Sequence, residues 1–283
     1  MVDETILVLA ATGGQGRAVT EALLGRRARV RALVRDPERP AARELSGQGA
    51  ELVAGSLTDR RSLAAAMTGV AGVFALTTPF EAGVEAEVVQ GRAILAAARE
   101  AGVPHLVFSS VAGADQKSGV PHFDSKARIE AELTSGDVPY TILGPTYFFD
   151  NALGGAERIL GGVLDLPLPP DRPLQQLARR DLGAFAAEVL LNPAPYLGQR
   201  VELAGDAPTP QQMAAALSAT LGREVRHERV PLSAIGNPDM HAMWTFLNGP
   251  GYRVDVPSLH AAHPEVRWTS FADWVRVTFA GAR

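Results

Sequence analysis

The sequence predicts an α/β protein, a doubly wound parallel sheet with a smaller α+β region after it. Three observations lead there. Apolar runs of strand length alternate with segments of helical periodicity from Thr5 to Leu143. The first run breaks into a glycine-rich turn, Ala10-Ala11-Thr12-Gly13-Gly14-Gln15-Gly16, which opens a helix. Beyond Pro145 the alternation stops, and the proline-rich segment 167–173 suits neither a helix nor a central strand.

Thr5 to Leu9 are aliphatic or β-branched without alternation, as a strand buried on both faces requires. Ala18, Val19, Ala22 and Leu23 then recur at helical spacing. A second strand, Arg29 to Val34, ends in Arg35, and the polar segment Asp36 to Pro40 leads into a short helix. Glu51 to Ala54 is a third strand, and Asp59 supplies the N-cap of a helix running through Met67. The fourth strand is Gly72 to Leu76; the helix after it, within Glu81 to Glu100, places Val84, Val88, Gly91, Leu95 and Ala98 on one face. Gly102 suits the end of that helix and Pro104 keeps it from resuming. His105 to Ser109 and Tyr140 to Leu143 are the fifth and sixth strands. Right-handed crossovers between such strands produce a Rossmann-type sheet covered on both faces.

The expected division is a dinucleotide-binding domain over residues 1–150 and a smaller substrate-side region over 151–283, with the chain returning to the first domain near 181–204. In the second part, helices are expected at 181–191, 209–221 and 271–279, and short strands at 200–203 and 224–228. Ligands of open α/β sheets bind beyond the carboxyl ends of the strands, so this region forms the far wall of the cleft.

Composition narrows the function. A net charge of −4 over 283 residues leaves no basic surplus for nucleic acid. No apolar run reaches the roughly 18 residues of a membrane span, and Met1-Val2-Asp3-Glu4 is acidic rather than a basic signal region, so a cytoplasmic protein is expected. The absence of cysteine excludes disulfides, thiolate metal sites and cysteine nucleophiles. His227, His241, His260 and His263 lack metal-ligand spacing, no hydrolase nucleophile elbow is present, and no metal is expected. Redox chemistry must come from a bound cofactor.

The glycine turn is where that cofactor belongs. Backbone N–H groups at a helix N-terminus, beside glycines that admit close approach, suit a pyrophosphate. Ala10 stands where a glycine series would begin, so an ordinary φ is expected there, with Gly13 and Gly16 keeping the approach open. Arg35, at the end of the second strand, is positioned to meet the 2′-phosphate of NADP(H), which is expected over NAD(H). Asp36 beside it can instead turn inward to a bare ribose, and Arg17 or Arg39 can assist Arg35. Thr77, Thr78, Pro79 and Phe80 follow the fourth strand toward the nicotinamide end. Pro145, Tyr147 and Phe148 follow the sixth, the two aromatics lining a flat apolar pocket with Trp244 on its far wall.

Several segments in order resemble the NmrA-like branch of the atypical short-chain dehydrogenase/reductase superfamily, over essentially the whole chain. They are 10–16, Val34-Arg35-Asp36-Pro37, Gly55-Ser56-Leu57-Thr58-Asp59, Phe108-Ser109-Ser110-Val111, His122-Phe123-Asp124-Ser125-Lys126 and 201–206. The resemblance implies cofactor contacts from Ala10, Thr12, Gly13, Gly14, Gln15 and Gly16. It places Ser56 and Leu57 at the adenine side and Ser110 in the substrate pocket. In the wider superfamily a tyrosine precedes the lysine by four residues and donates the proton; here that position is His122. Lys126 and His122 share a helix face with Ile129 and Leu133 and point inward. Lys126 either binds the nicotinamide ribose or stabilises oxyanion charge, and His122 is either a proton donor or structural. The expected activity is NADPH-dependent reduction of an apolar quinone, enone or other conjugated carbonyl. The alternative is a non-catalytic NADP(H) sensor acting through a protein partner.

Overall fold

Seven strands lie side by side, all parallel, in a computed structural model that describes residues 4–281. Met1, Val2 and Asp3, most of the acidic N-terminus, lie outside the described residues. The alternating part runs β1 (Thr5–Val8), α1 (Gly14–Gly25), β2 (Arg29–Val34), α2 (Pro40–Gly47), β3 (Glu51–Ala54), α3 (Arg60–Met67), β4 (Gly72–Leu76), α4 (Val84–Glu100), β5 (Leu106–Ser109), α5 (Pro121–Thr134) and β6 (Tyr140–Pro145). There follow β7 (Tyr147–Phe148), α6 (Ala156–Leu160), β8 (Val163–Leu166), β9 (Gln176–Leu177), α7 (Arg179–Leu191), β10 (Arg200–Leu203), α8 (Pro210–Leu221), β11 (Arg226–Arg229), α9 (Pro238–Asn248), α10 (Val256–Ala262) and α11 (Phe271–Thr278).

The sheet order is β10-β6-β5-β4-β1-β2-β3, with the chain reversing direction across the sheet between β1 and β4. A crevice opens at such a switch point, beyond the strand carboxyl ends. Leu7, Val8, Leu106 and Val107 are fully buried, as the non-alternating runs require. One core, under α1, α2 and α7, includes Ile6, Val19, Leu23, Leu45 and Phe185. The opposite face packs Leu7, Leu63, Ile94 and Ile129 from α3, α4 and α5. Two glycines let helices touch: a Cβ at Gly183 would collide with the Ala18 carbonyl, and one at Gly91 with Ile129.

A third core lies in the C-terminal part, around Phe149, Leu217, Trp244, Phe271 and Trp274. It is tied to α7 by Asp181, whose carboxylate accepts from the Thr269 N–H and Oγ1 at 2.7 Å each. Here the sequence was less legible. Helix α9 and the β8 strand of the two-stranded β8/β11 sheet went unread, although Asn237 and Pro238 form an N-cap and N1 pair whose Asn237 side chain accepts from the Asp239 and Met240 N–H groups.

Candidate active site

A cleft of about 890 Å³ lies beyond the carboxyl ends of β1, β2, β4, β5 and β6. The residues singled out in the sequence meet there. Ala10, Thr12, Gly13, Gly14, Gln15 and Gly16 form the floor; Arg35, Ser56 and Leu57 one end; and Thr77, Thr78, Pro79, Phe80, Ser110, His122, Lys126, Pro145, Tyr147, Phe148 and Trp244 the other. Met240, Met243 and Tyr252, not anticipated, complete the apolar wall.

The glycine loop corrects one expectation. Ala10 has φ +48°, in the left-handed region, rather than an ordinary φ. The chain leaving β1 must reverse sharply enough for the Gly13 N–H to reach the Ala10 carbonyl at 2.9 Å, with Gly16 packed against that carbonyl so closely that a Cβ would collide with it. Only the reversed backbone permits this, and alanine there carries a cost on the order of 1 kcal/mol. No side chain caps α1, so its first-turn N–H groups face the cleft without a side-chain acceptor. Gln15 Oε1 accepts from Ser109 Oγ at 2.7 Å, which ties the loop to the end of β5.

At the adenosine end Arg35 is 79 % exposed and its Nη1 lies 3.3 Å from Glu81 Oε2, across the cleft mouth. Asp36 is turned away, its Oδ1 accepting from the Glu38 N–H at 2.9 Å. Arg17 is bound to Glu21 and Glu44, and Arg39 pairs with Asp36 at 3.8 Å; neither lines the cleft. Arg179, the first residue of α7, does line it, beside Gly14. Arg179 precedes the helix expected from Asp181 and follows no motif, so no local signal marks it.

Lys126 projects from α5 into the opposite end. Its Nζ donates to the Thr77 carbonyl at 2.9 Å and to Thr77 Oγ1 at 3.0 Å, and lies 2.9 Å from Glu87 Oε1. Glu87 also accepts from Thr77 Oγ1 at 2.9 Å and from Ser125 Oγ. Burial presses the ammonium pKa down while the Glu87 carboxylate opposes that. Glu87 was missed, yet the signal existed: it falls on the apolar face of α4 between Val84 and Gly91, where a carboxylate needs a buried partner.

His122 Nδ1 lies 2.6 Å from Asp239 Oδ1, a residue of α9, and the His122 backbone N–H reaches the same oxygen at 3.3 Å. A carboxylate there takes Nδ1–H, which leaves Nε2 for the cleft. Ser110 Oγ is buried with no hydrogen-bond partner among the described residues, a polar atom available to a ligand. Its loop is held from β10: Arg200 Nη2 donates to the Val111 carbonyl at 2.9 Å, and Glu202 Oε1 accepts from the Gly113 N–H at 2.8 Å. Tyr147 stacks at a tilt on Trp244, centroids 5.5 Å apart, and burial pushes its phenol pKa up to about 12. That makes it an aromatic wall and a weak acid. The glycine floor, the uncapped helix and the orphaned Ser110 hydroxyl fit a nicotinamide dinucleotide laid across the sheet.

The model of the NmrA-like family matches residues 2–249. The chain is 33 % identical over 229 residues to the NAD(P)H azoreductase of Xenophilus azovorans, covering 80 % of this chain and 77 % of that protein. It is likewise 33 % identical over 232 residues to a (4-alkanoyl-5-oxo-2,5-dihydrofuran-3-yl)methyl phosphate reductase of Streptomyces griseus, covering 81 % and 78 %. The crystal structure of the Escherichia coli NADPH-dependent quinone oxidoreductase QOR2 complexed with NADPH superposes with a TM-score of 0.81 at 27 % identity, over 97 % of this chain and 99 % of that one.

Proposed function

The chain belongs to the NmrA-like family and is an NAD(P)H-dependent oxidoreductase, and we propose that it prefers NADPH and reduces an apolar quinone, enone or other conjugated carbonyl. One observation carries the substrate class: an aromatic and methionine-lined pocket of Tyr147, Trp244, Tyr252, Met240 and Met243 opens directly onto the glycine-loop cleft. A flat apolar acceptor suits such a wall. The quinone named for one relative is of that kind; the alkanoyl-oxo-dihydrofuran named for another shares the conjugated carbonyl but carries a phosphate as well.

The bound nicotinamide supplies the hydride. The chain supplies position and charge. Gly14, Gln15 and Gly16, in the uncapped first turn of α1, would offer backbone N–H groups to the pyrophosphate, and Arg35 would offer its guanidinium to the 2′-phosphate, which a bare ribose would not engage. Lys126, anchored by Thr77 and Glu87, keeps positive charge in the wall where electron density accumulates on the substrate oxygen. His122, held through Nδ1 by Asp239, presents Nε2 to the cleft and in its protonated form donates there. Phe80, 72 % exposed at the mouth with its ring 5.7 Å from that of His122, is placed to cover the acceptor and exclude water.

Initial rates of NADPH and NADH oxidation with a panel of quinones, enones and simple ketones test this. NADPH should be the better donor, and quinones or enones should turn over where simple ketones do not. Preference for NADH, or for simple ketones, would overturn the respective part. The histidine at position 122, four residues before Lys126 where the wider superfamily has tyrosine, favours a second reading, an NADP(H) sensor acting through a protein partner. Tight NADPH binding with no oxidation of any acceptor would put that reading ahead.

A further inference from the structure

Two neighbouring arginines open α7, and they differ. Arg180 Nε donates to Thr269 Oγ1 at 2.7 Å and pairs with the buried Asp181, a structural tie. The Arg179 side chain makes no hydrogen bond among the described residues. Its Nη1 stands 3.8 Å from Asp150 Oδ1, beyond hydrogen-bonding distance, and its guanidinium carbon lies 5.9 Å from the centre of the Phe148 ring. Its five donors face the cleft above the glycine loop, so close that a Cβ on Gly14 would lie 2.5 Å from Nη1.

We infer that Arg179 is a phosphate-binding residue of the dinucleotide site, reaching the pyrophosphate from beside the first turn of α1. This rests on the nucleotide-binding reading above. A planar fork of donors matches phosphate oxygens, and Arg179 stands half-buried beside the uncapped first turn of α1. Phe148 and Asp150 set the side chain's direction, and neither fills its donors. The bare Gly14 makes room: with an ordinary φ it can accept a Cβ without backbone strain, and the atom displaced is the guanidinium itself. Arg179 therefore joins the cofactor floor to Phe148, the start of the substrate wall.

The test is calorimetric titration of the full chain and of Arg179→Ala, Gly14→Ala and the double variant with NADPH, ADP-ribose and adenosine 2′-phosphate, each variant first checked by its thermal melt. Arg179→Ala should weaken NADPH and ADP-ribose on the order of tenfold to a hundredfold and leave adenosine 2′-phosphate unchanged, because the last lacks a pyrophosphate. Gly14→Ala should weaken the same two ligands, and in the Arg179→Ala background it should cost nothing further. Unchanged ADP-ribose affinity in Arg179→Ala, equal loss of adenosine 2′-phosphate, or a loss confined to the KM of an anionic substrate would each overturn the assignment while the nucleotide reading stands. Failure of the unaltered protein to bind either dinucleotide fragment would remove both.

Discussion

Lys126 Nζ lies 2.9 Å from Glu87 Oε1, with the carboxylate wholly buried and the lysine 8 % exposed. The pair joins α5 to α4 beneath the cleft, and each partner's solvation has been replaced by the other together with Thr77 and Ser125. Such a pair contributes little net stability, but removing one member strands a buried charge. Glu87→Gln should therefore cost about 3 kcal/mol or more in urea unfolding, and Glu87→Gln with Lys126→Met should recover much of that. A double variant no more stable than the single one would contradict the pairing.

The same pair determines how the lysine must be tested catalytically. Lys126→Ala alone leaves Glu87 unbalanced, so a fall in activity would mix misfolding with chemistry. In the Glu87→Gln, Lys126→Met background, loss of the wall charge should lower turnover about a hundredfold or more if the ammonium stabilises substrate oxyanion. If the lysine only holds ribose, the loss should appear as a raised Kd for NADPH at nearly unchanged turnover.

Ala10 in the left-handed region offers a stabilising change. Ala10→Gly removes about 1–2 kcal/mol of backbone strain and gives back about 0.4–1 through the freer unfolded chain. The net expectation is a gain of about 0.5–1 kcal/mol, read from the urea midpoint. A loss would mean that the alanine methyl packs better than its backbone suffers.

His105 supplies a pH dependence. Its Nε2 lies 2.8 Å from Thr141 Oγ1, which itself donates to the Tyr196 carbonyl, so Nε2 carries the proton and the buried Nδ1 has no partner among the described residues. Burial pushes its pKa down to about 4. In the unfolded chain it titrates near 6.5, so below that pH the unfolded state takes up a proton the folded state refuses. Its contribution is complete above about pH 6.5 and is lost as pH falls toward 4, by at most about 3 kcal/mol. His105→Gln, keeping a donor for Thr141, should flatten the stability curve between those values.

The legible parts of this chain were those governed by local rules. Strands β2, β3 and β4 match their expected bounds because their short apolar runs have no competing helical period; β4 is buried on both faces, whereas β3, at the sheet edge, stays half-exposed and is marked by its flanking turns instead. Lys126 was placed inward by its spacing from Ile129 and Leu133, both 1 % exposed. Partners contributed by distant elements were not legible: Asp239, Arg179 and Glu87 come from α9, α7 and α4, and no sequence spacing relates them to His122, Gly14 or Lys126. The φ of Ala10 was misjudged for a related reason, since its backbone is dictated by the contact with Gly16 rather than by alanine's own preference.

Arg35 and Glu81 make the last test, of cofactor choice. Their pair spans the mouth of the cleft at 3.3 Å between two exposed side chains, and a 2′-phosphate must compete with Glu81 for the guanidinium. An exposed pair is weak, so Glu81→Gln should tighten NADPH only about two- to fivefold, more at low salt than at high. NADH, which lacks the phosphate, should be unaffected. Arg35→Ala should move the other way, weakening NADPH on the order of tenfold to a hundredfold and bringing the two nucleotides together. Fluorescence titrations with both nucleotides at two salt concentrations read all of this at once; equal effects on NADH and NADPH would show that Arg35 meets the adenosine without selecting its phosphate.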